Sequence, residues 1–511
     1  MSHGRARHAL HRQGNAGHRL VPVPALTHHR IKEPHMLRRE FVKYLTAGAA
    51  GQFILPVSGA SAATPLNVVV IGGGMAGATA AKYLRVWARK LALDALVSVT
   101  IIDKSDQYVS NIMSNMVLTG EKTIANLTYT YASLKTKYGI NFIKATVSSV
   151  DTANGWVYGK LNNTGSDILL NATPFNRLIL ATGISFDPST FTLNVPSTVY
   201  ANPWEAIPHA WQAGTQTTLL RNQLVNMTAG NHVAVTIPVS PYRCPPGPYE
   251  RACVLADWLR VKKPGSKIYL IDPGQTADGR PPVEPNNFGY AFANIHKNLV
   301  YVQNARLTAV TGSLAGTTKF KTLSLVPNSA TPLNTVNALA SPTAVKVEVA
   351  NVIPKMQAAD LTRSVLGPAG LDADGRWAVV DERSYKSLVP KVYVIGDSIK
   401  SANQPKAGHI GNQQAKVCAD AILRELSNVA LYDAPVTNSA CFTPVTTNLN
   451  SQYGAMASWL TATFRYGVDP TDNVSRMLRV STNIESPGRP SKDNFSSMGK
   501  WFTSLMQDVY S

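Results

Sequence analysis

Cysteine is scarce in this chain: among 511 residues there are four, Cys244, Cys253, Cys418 and Cys441. No two of them form a Cys-x-x-Cys pair, which excludes a c-type haem attachment and the common zinc spacings, so any haem must sit on another chain. The scarcity also excludes a small disulfide-stapled module. A chain this long, 44% hydrophobic, buries about two or three cores of ordinary domain size. Long apolar runs are missing as well. The stretch Tyr44 to Val57 is broken by Gly48, Gly51, Gln52 and Pro56, whereas a spanning helix needs roughly 20 apolar residues, so no transmembrane anchor is expected. Histidine outside the leader is limited to His209, His232, His296 and His409, which leaves few side chains that exchange protons near neutral pH. Acidic residues are outnumbered, and the formal charge is +19. That excess either steers an acidic partner or simply solvates the surface; no nucleic-acid partner is expected.

Much of the charge lies in the leader, where residues 1–43 hold nine Lys/Arg against two Asp/Glu. Leu37-Arg38-Arg39-Glu40-Phe41-Val42-Lys43 precedes the short glycine-containing apolar stretch and then Ala60-Ser61-Ala62-Ala63. Paired arginines, a weak hydrophobic region and small residues at a cleavage site form the twin-arginine export pattern, read here over residues 36–63. Residues 1–35 lack periodicity and are read as an extension ahead of Met36. The expected destination is the oxidising periplasm. Export of this kind moves folded, cofactor-loaded proteins.

Beyond the leader, Asn67-Val68-Val69-Val70-Ile71 runs into Gly72-Gly73-Gly74-Met75-Ala76-Gly77, and the strand Val97 to Ile102 ends in Asp103. Gly72 permits a tight turn, Gly74 lets backbone approach a pyrophosphate, Gly77 allows helix to pack on strand, and Asp103 can accept from a ribose hydroxyl. The acid stands 26 residues after the last glycine, so the motif has its full strand–turn–helix–strand setting. Two further buried strands end in small-residue turns: Arg177 to Leu180 leads into Ala181-Thr182-Gly183, and Val392 to Ile395 leads into Gly396-Asp397. Asp397 in that place can accept from a ribityl chain, which FAD has and NAD lacks. A helix starting near Gly411 would aim its N-terminal N–H groups at the flavin's pyrimidine edge. The fold class is therefore α/β, with two Rossmann-like three-layer domains, the second inserted in the first. The FAD domain is expected over 64–185 and 355–432, a second nucleotide-binding-like domain over 186–354, and a small α+β domain over 433–511.

The second domain's turn is unusual. His232 to Pro238 reads as a buried strand and Arg251 to Leu259 as a helix. Between them Tyr242-Arg243-Cys244-Pro245-Pro246-Gly247-Pro248-Tyr249-Glu250 stands where a dinucleotide would need backbone N–H donors. Three prolines offer none. A thiol and a carboxylate take their place, which points to sulfur or redox chemistry and away from NAD(P)H.

With these residues in view, the chain resembles the flavoprotein subunit of flavocytochrome c sulfide dehydrogenase, a relative of the sulfide:quinone oxidoreductases. The most specific segments are Pro208-His209-Ala210-Trp211-Gln212-Ala213-Gly214, Cys244 to Arg251, Asn351-Val352-Ile353-Pro354, and Pro405-Lys406-Ala407-Gly408; Asn438-Ser439-Ala440-Cys441 is similar to the start of the family's C-terminal segment. The resemblance implies FAD, a redox disulfide that sulfide attacks, and electrons leaving through a c-type cytochrome. It implies cofactor contacts from Gly72, Gly74, Met75, Ala76, Gly77, Asp103, Lys104, Asn111, Val147, Ala181, Thr182, Gly183, Gly396, Asp397 and His409. Glu250 matches the family's acid and is the candidate base; the other reading pairs it with Arg251 or Arg243. Two departures matter. Ala378, in Arg376-Trp377-Ala378-Val379-Val380-Asp381, stands where the family has the disulfide's second cysteine. Asn111 stands where the family's covalent flavin attachment would be, so FAD is expected to be held without a covalent bond. Cys244 is left with three readings: a lone catalytic thiol, a thiol paired with Cys253, or a relic. His409 either stabilises reduced flavin or hydrogen-bonds a loop.

Overall fold

The computed structural model describes residues 65–195, 202–312, 319–330, 334–336, 343–401, 403–450, 458–468, 477–479, 485 and 489–511. The twin-arginine segment and the extension before it lie outside the described residues.

Leu66–Ile71 is almost wholly buried and lies between Val97–Asp103 and Arg177–Leu180, parallel to both. Continuous branched aliphatic residues favour this position, because a strand covered on both faces has no polar side to present. Val392–Val394 extends the parallel sheet on one side and Asn141–Asp151 on the other, and short antiparallel strands finish the edges of nine strands in all. The helix Met75–Lys90 packs back onto this sheet beside the helix Gly408–Leu426. That second helix begins three residues earlier than the sequence suggested, because Ala407 is already extended and serves as its N-cap. The chain leaves the central strand toward neighbours on both sides, which opens a crevice at its carboxyl end.

The inserted part repeats the plan. Val233–Thr236 is flanked in parallel by Ile268–Ile271 and Val349–Val352, and its own crevice holds the Cys244 loop and the helix Gly247–Lys262. The domain's closing segment forms two strands: Ala344–Val347 joins a separate four-stranded sheet, and Val349–Val352 joins the parallel one. The two chain crossings between the domains run side by side, Ile184–Asp187 antiparallel to Lys355–Ala358.

The C-terminal segment contributes the antiparallel strands Val436–Pro444, Ser458–Val468 and Met477–Arg479 and the helix Lys492–Tyr510. Its apolar face, Met498, Phe502, Met506 and Val509, belongs to the same buried cluster as Leu84 and Ile101 of the first domain. Each such side chain contributes about 1.5–3 kcal/mol when fully buried. The segment is thus a cover sharing the first domain's core.

Candidate functional site

The two crevices face each other and merge into one cavity of about 740 Å³, within the range of small-molecule sites. The first domain brings the glycine turn to it. Gly72 takes φ +103°, and a Cβ there would sit 2.4 Å from the Ala181 carbonyl oxygen. A Cβ on Gly77 would lie 1.8 Å from the Gly72 carbonyl oxygen, so Gly77 serves packing and does not line the cavity. Gly74 is open, with nothing within 4 Å of its Cβ direction, and no side chain caps the helix it starts. The first turn of that helix is therefore free to hold an anion. Asp103 accepts from the Gly73 N–H at 2.6 Å and from the Ser105 N–H at 2.8 Å, while burial holds its carboxyl above the ordinary value against those bonds.

Met75, Ala76, Lys104, Asn111, Ala181, Thr182, Gly183, Gly396, Asp397 and His409 also line the cavity. Val147 does not: it sits on the strand Asn141–Asp151, packed against the first domain's core. Asn111 is engaged, its Oδ1 accepting from the Ala213 N–H at 2.7 Å. His409 is buried, its Nε2 lies 2.8 Å from the Ser439 hydroxyl, and its ring meets Trp501 edge-on. Burial lowers it to about 4, so it is a neutral ring at pH 7, and its hydrogen bond runs to the C-terminal cover.

The second domain brings the thiol. Cys244 has φ +57°, a left-handed conformation that costs a non-glycine residue roughly 1–2 kcal/mol. Its N–H donates to the Lys406 carbonyl at 2.8 Å and its carbonyl accepts from the Gly247 N–H at 2.9 Å, so the loop's remaining donors turn inward. Gly247 leaves room for the sulfur: a Cβ there would be 2.9 Å from Cys244 Sγ and 2.8 Å from the Trp211 ring. Cys244 is exposed to the cavity, yet its walls crowd the thiol, and burial followed by the charge of Glu250 pushes it up to about 12, with Arg243 pulling the other way. The resting group is therefore a neutral thiol. Burial also raises Glu250, to about 7, against the hydrogen bond from Asn115 and the charge of Arg251.

Four segments separated by up to some hundreds of residues meet at Arg251, which is 1% exposed. Its guanidinium donates to Asn115 Oδ1 at 2.8 Å, Asn351 Oδ1 at 2.8 Å, the His209 carbonyl at 3.2 Å and the Ala210 carbonyl at 2.7 Å, and lies 4.6 Å from the Trp211 ring centre. Asn351 in turn donates to the Pro208 and His209 carbonyls. Asn115 was not singled out in the sequence; it opens the short helix Asn115–Thr119, and the left-handed Met113 before it breaks any helical spacing with Asn111 that the sequence could have shown. Lys406 was quoted only as part of a motif. Its ammonium donates to the Asp397 carbonyl at 3.0 Å and lies 3.6 Å from the Trp377 ring centre. Arg243 Nη1 is 3.7 Å from Asp397 Oδ2, joining the two crevices across the cavity.

Position 378 carries a fully buried methyl group that does not reach the cavity lining, and all four cysteines are free. Cys253 and Cys418 are fully buried within helices. Cys441 is different: it lines the cavity with Cys244. No cluster of three or more metal-ligating side chains occurs among the described residues, and no described helix is long and apolar enough to cross a membrane.

An uncapped glycine turn, an acid at the end of the next strand and a helix N-terminus opening on the same cavity fit FAD, and are what a flavoprotein oxidoreductase of the pyridine nucleotide-disulphide type requires. Residues 66–235 match that family, pyridine nucleotide-disulphide oxidoreductase. Residues 217–354 match the family described as sulfide dehydrogenase (flavocytochrome c) flavoprotein chain, central, which supports an FAD-dependent oxidoreductase of the sulfide dehydrogenase and sulfide:quinone oxidoreductase type. Among solved structures it is similar to the sulfide:quinone oxidoreductase of Aquifex aeolicus, at 15% identity and a TM-score of 0.56 over 87% of this chain and 91% of that one. It is also similar to NDH2 of Plasmodium falciparum, at 11% identity and a TM-score of 0.58 over 87% and 95%. These likenesses are of fold.

Proposed function

We propose that the protein is exported by the twin-arginine route and oxidises sulfide or another small reduced sulfur species in the periplasm, passing electrons to a c-type cytochrome. One observation carries the reading: Cys244 and Glu250 open onto the same cavity as the glycine turn that would hold the cofactor pyrophosphate. Gly74 and the first turn of the helix it starts would hold that pyrophosphate, Asp103 the ribose, Asp397 the ribityl chain, and the start of the helix Gly408–Leu426 the pyrimidine edge. When bound, FAD supplies a two-electron acceptor.

The protein's own residues do the rest. Arg243, at the cavity wall, attracts a small anion such as hydrosulfide toward Cys244. Glu250, poised near pH 7 and held by Asn115, accepts the proton of the incoming sulfur. Trp211 and the prolines of the Cys244 loop keep large polar ligands off the thiol. Anaerobic mixing with sulfide tests this: the flavin absorbance should bleach, and an unchanged spectrum would overturn the reading. Reduction of a c-type cytochrome after bleaching tests the acceptor. A second reading is favoured by the methyl group at position 378: a flavin dehydrogenase of another reductant, with Cys244 a bystander. In that case Cys244→Ser bleaches with the true reductant as fast as the parent does.

A further inference from the structure

Two thiols from remote parts of the chain open onto the cavity. Cys244 lies three residues before the helix Gly247–Lys262, and Cys441 lies in the strand Val436–Pro444. The strand that carries Cys441 is pinned on both sides of it. Before it, the Asn438 N–H donates to Gln413 Oε1 at 2.7 Å and Ser439 meets His409, both on the helix Gly408–Leu426. After it, the Thr447 N–H donates to Asp257 Oδ2 at 2.9 Å, and Asp257 belongs to the helix that begins three residues beyond Cys244. The segment that carries Cys441 is therefore tied to both helices, one of which follows directly from the Cys244 loop. Burial, and after it the charges of Glu284 and Glu250, hold the half-buried Cys441 thiol above the ordinary range.

We propose that Cys441 is the redox partner of Cys244, so that the two thiols, and not Cys244 alone or with Cys253, form the reactive pair of this cavity. The proposal rests on the sulfur-oxidising reading above for its substrate. Forming the Cys244–Cys441 bond removes two protons and two electrons, taken by a two-electron acceptor: the isoalloxazine in the reaction, a diazenedicarboxamide oxidant in a test. Hydrosulfide then exchanges with the bond. The S–S bond between the two cysteines breaks, one forms between the incoming sulfur and Cys244, which is the exposed member, and Cys441 leaves. The proton of hydrosulfide passes through Glu250 to the departing Cys441 sulfur. Burial raises the Cys441 thiol well above its ordinary range, so it leaves as the thiol.

The experiment uses the full-length, flavin-loaded protein, treated with diamide, alkylated, digested and read by non-reducing peptide mass spectrometry. A disulfide needs Cα atoms within about 7 Å, so the cross-link is its own ruler. The expected product joins the Cys244 and Cys441 peptides, disappears on reduction, and is absent from Cys441→Ser and Cys441→Ala. Both peptides recovered as alkylated thiols, or Cys244 joined to Cys253, overturns the proposal. In the same variants sulfide-driven bleaching should fall by roughly tenfold or more, as expected when an exchange step loses its leaving group. Bleaching at the parental rate in either variant overturns the pair while leaving sulfide as substrate. A cross-link in a parent that sulfide never bleaches supports the pair and removes the substrate reading instead. If neither variant retains flavin, the cross-link in the parent alone decides.

Discussion

The Asn115 side-chain amide donates to Glu250 Oε1 at 2.8 Å while its oxygen accepts from Arg251 Nε at the same distance. One amide thus separates the candidate base from the cation beside it in sequence and satisfies both. Asn115→Ala should leave two buried groups short of a partner and destabilise the fold by about 1–3 kcal/mol, measured by denaturant unfolding. Because the Asn115 bond lowers Glu250, its loss should also move the base's titration above about 7.

Glu250 gives the pH dependence a definite sign. A base must be ionised to accept a proton, so sulfide-driven bleaching should rise with pH through about 7. Glu250→Gln should flatten that rise, and the ratio of parent to variant rates removes the titration of sulfide itself. Stability runs the other way. The folded-state value is raised from 4.5 to about 7, so the folded protein binds a proton that the unfolded chain has released. The contribution of Glu250 is present in full below about 4.5 and is lost as pH rises toward 7. Thermal unfolding of Glu250→Gln should lack that decline; an identical pH trend in both proteins would remove the titration from this residue.

NADH should be a poor reductant. Pro245, Pro246 and Pro248 have no N–H, and those of Cys244 and Gly247 are spent on Lys406 and on Cys244 itself. Stoichiometric flavin reduction by NADH within the mixing time of a stopped-flow instrument would contradict this.

Flavin should be released by acid precipitation. Asn111 has no nucleophilic sulfur, and its oxygen is committed to the Ala213 N–H. Yellow colour retained in a washed, denatured pellet would contradict the expectation.

Routing should depend on the paired arginines. Replacing Arg38 and Arg39 by lysine should retain precursor in the cytoplasm, read by fractionation and immunoblotting; undiminished periplasmic protein would exclude the twin-arginine route.

What the sequence disclosed was local. Val68 to Ile71 followed by three glycines needs no distant partner to be recognised, because an apolar run and a turn without Cβ atoms carry their own physics. The α/β class follows from several such runs. The prolines around Cys244 were legible for the same reason. Long-range pairing was not: nothing near Asn115 announces Glu250, and nothing near Cys441 announces Cys244. Boundaries shifted where a terminus is set by packing. Gly408 starts its helix because it nestles against Met75, whose sulfur would lie 2.9 Å from an added Cβ. Val347 and Val349 look like one strand until Glu348 turns its carboxylate to Thr228 and Asn231.

The Tyr510 hydroxyl donates to the Gly73 carbonyl at 3.2 Å, its ring stacks on Tyr108 and Tyr129, and Lys82 gathers the carbonyls of Gln507, Asp508 and Ser511. The glycine turn is therefore braced by residues more than four hundred positions later in the chain. Bracing of this kind is reciprocal: whatever free energy the docked helix lends to the ordered turn, an occupied turn returns to the docked helix. Cofactor loading and closure of the C-terminal cover would then be two readings of one equilibrium, and apoprotein should fray first at the helix Lys492–Tyr510, far along the sequence from the glycines that lost their ligand, as amide hydrogen exchange would read.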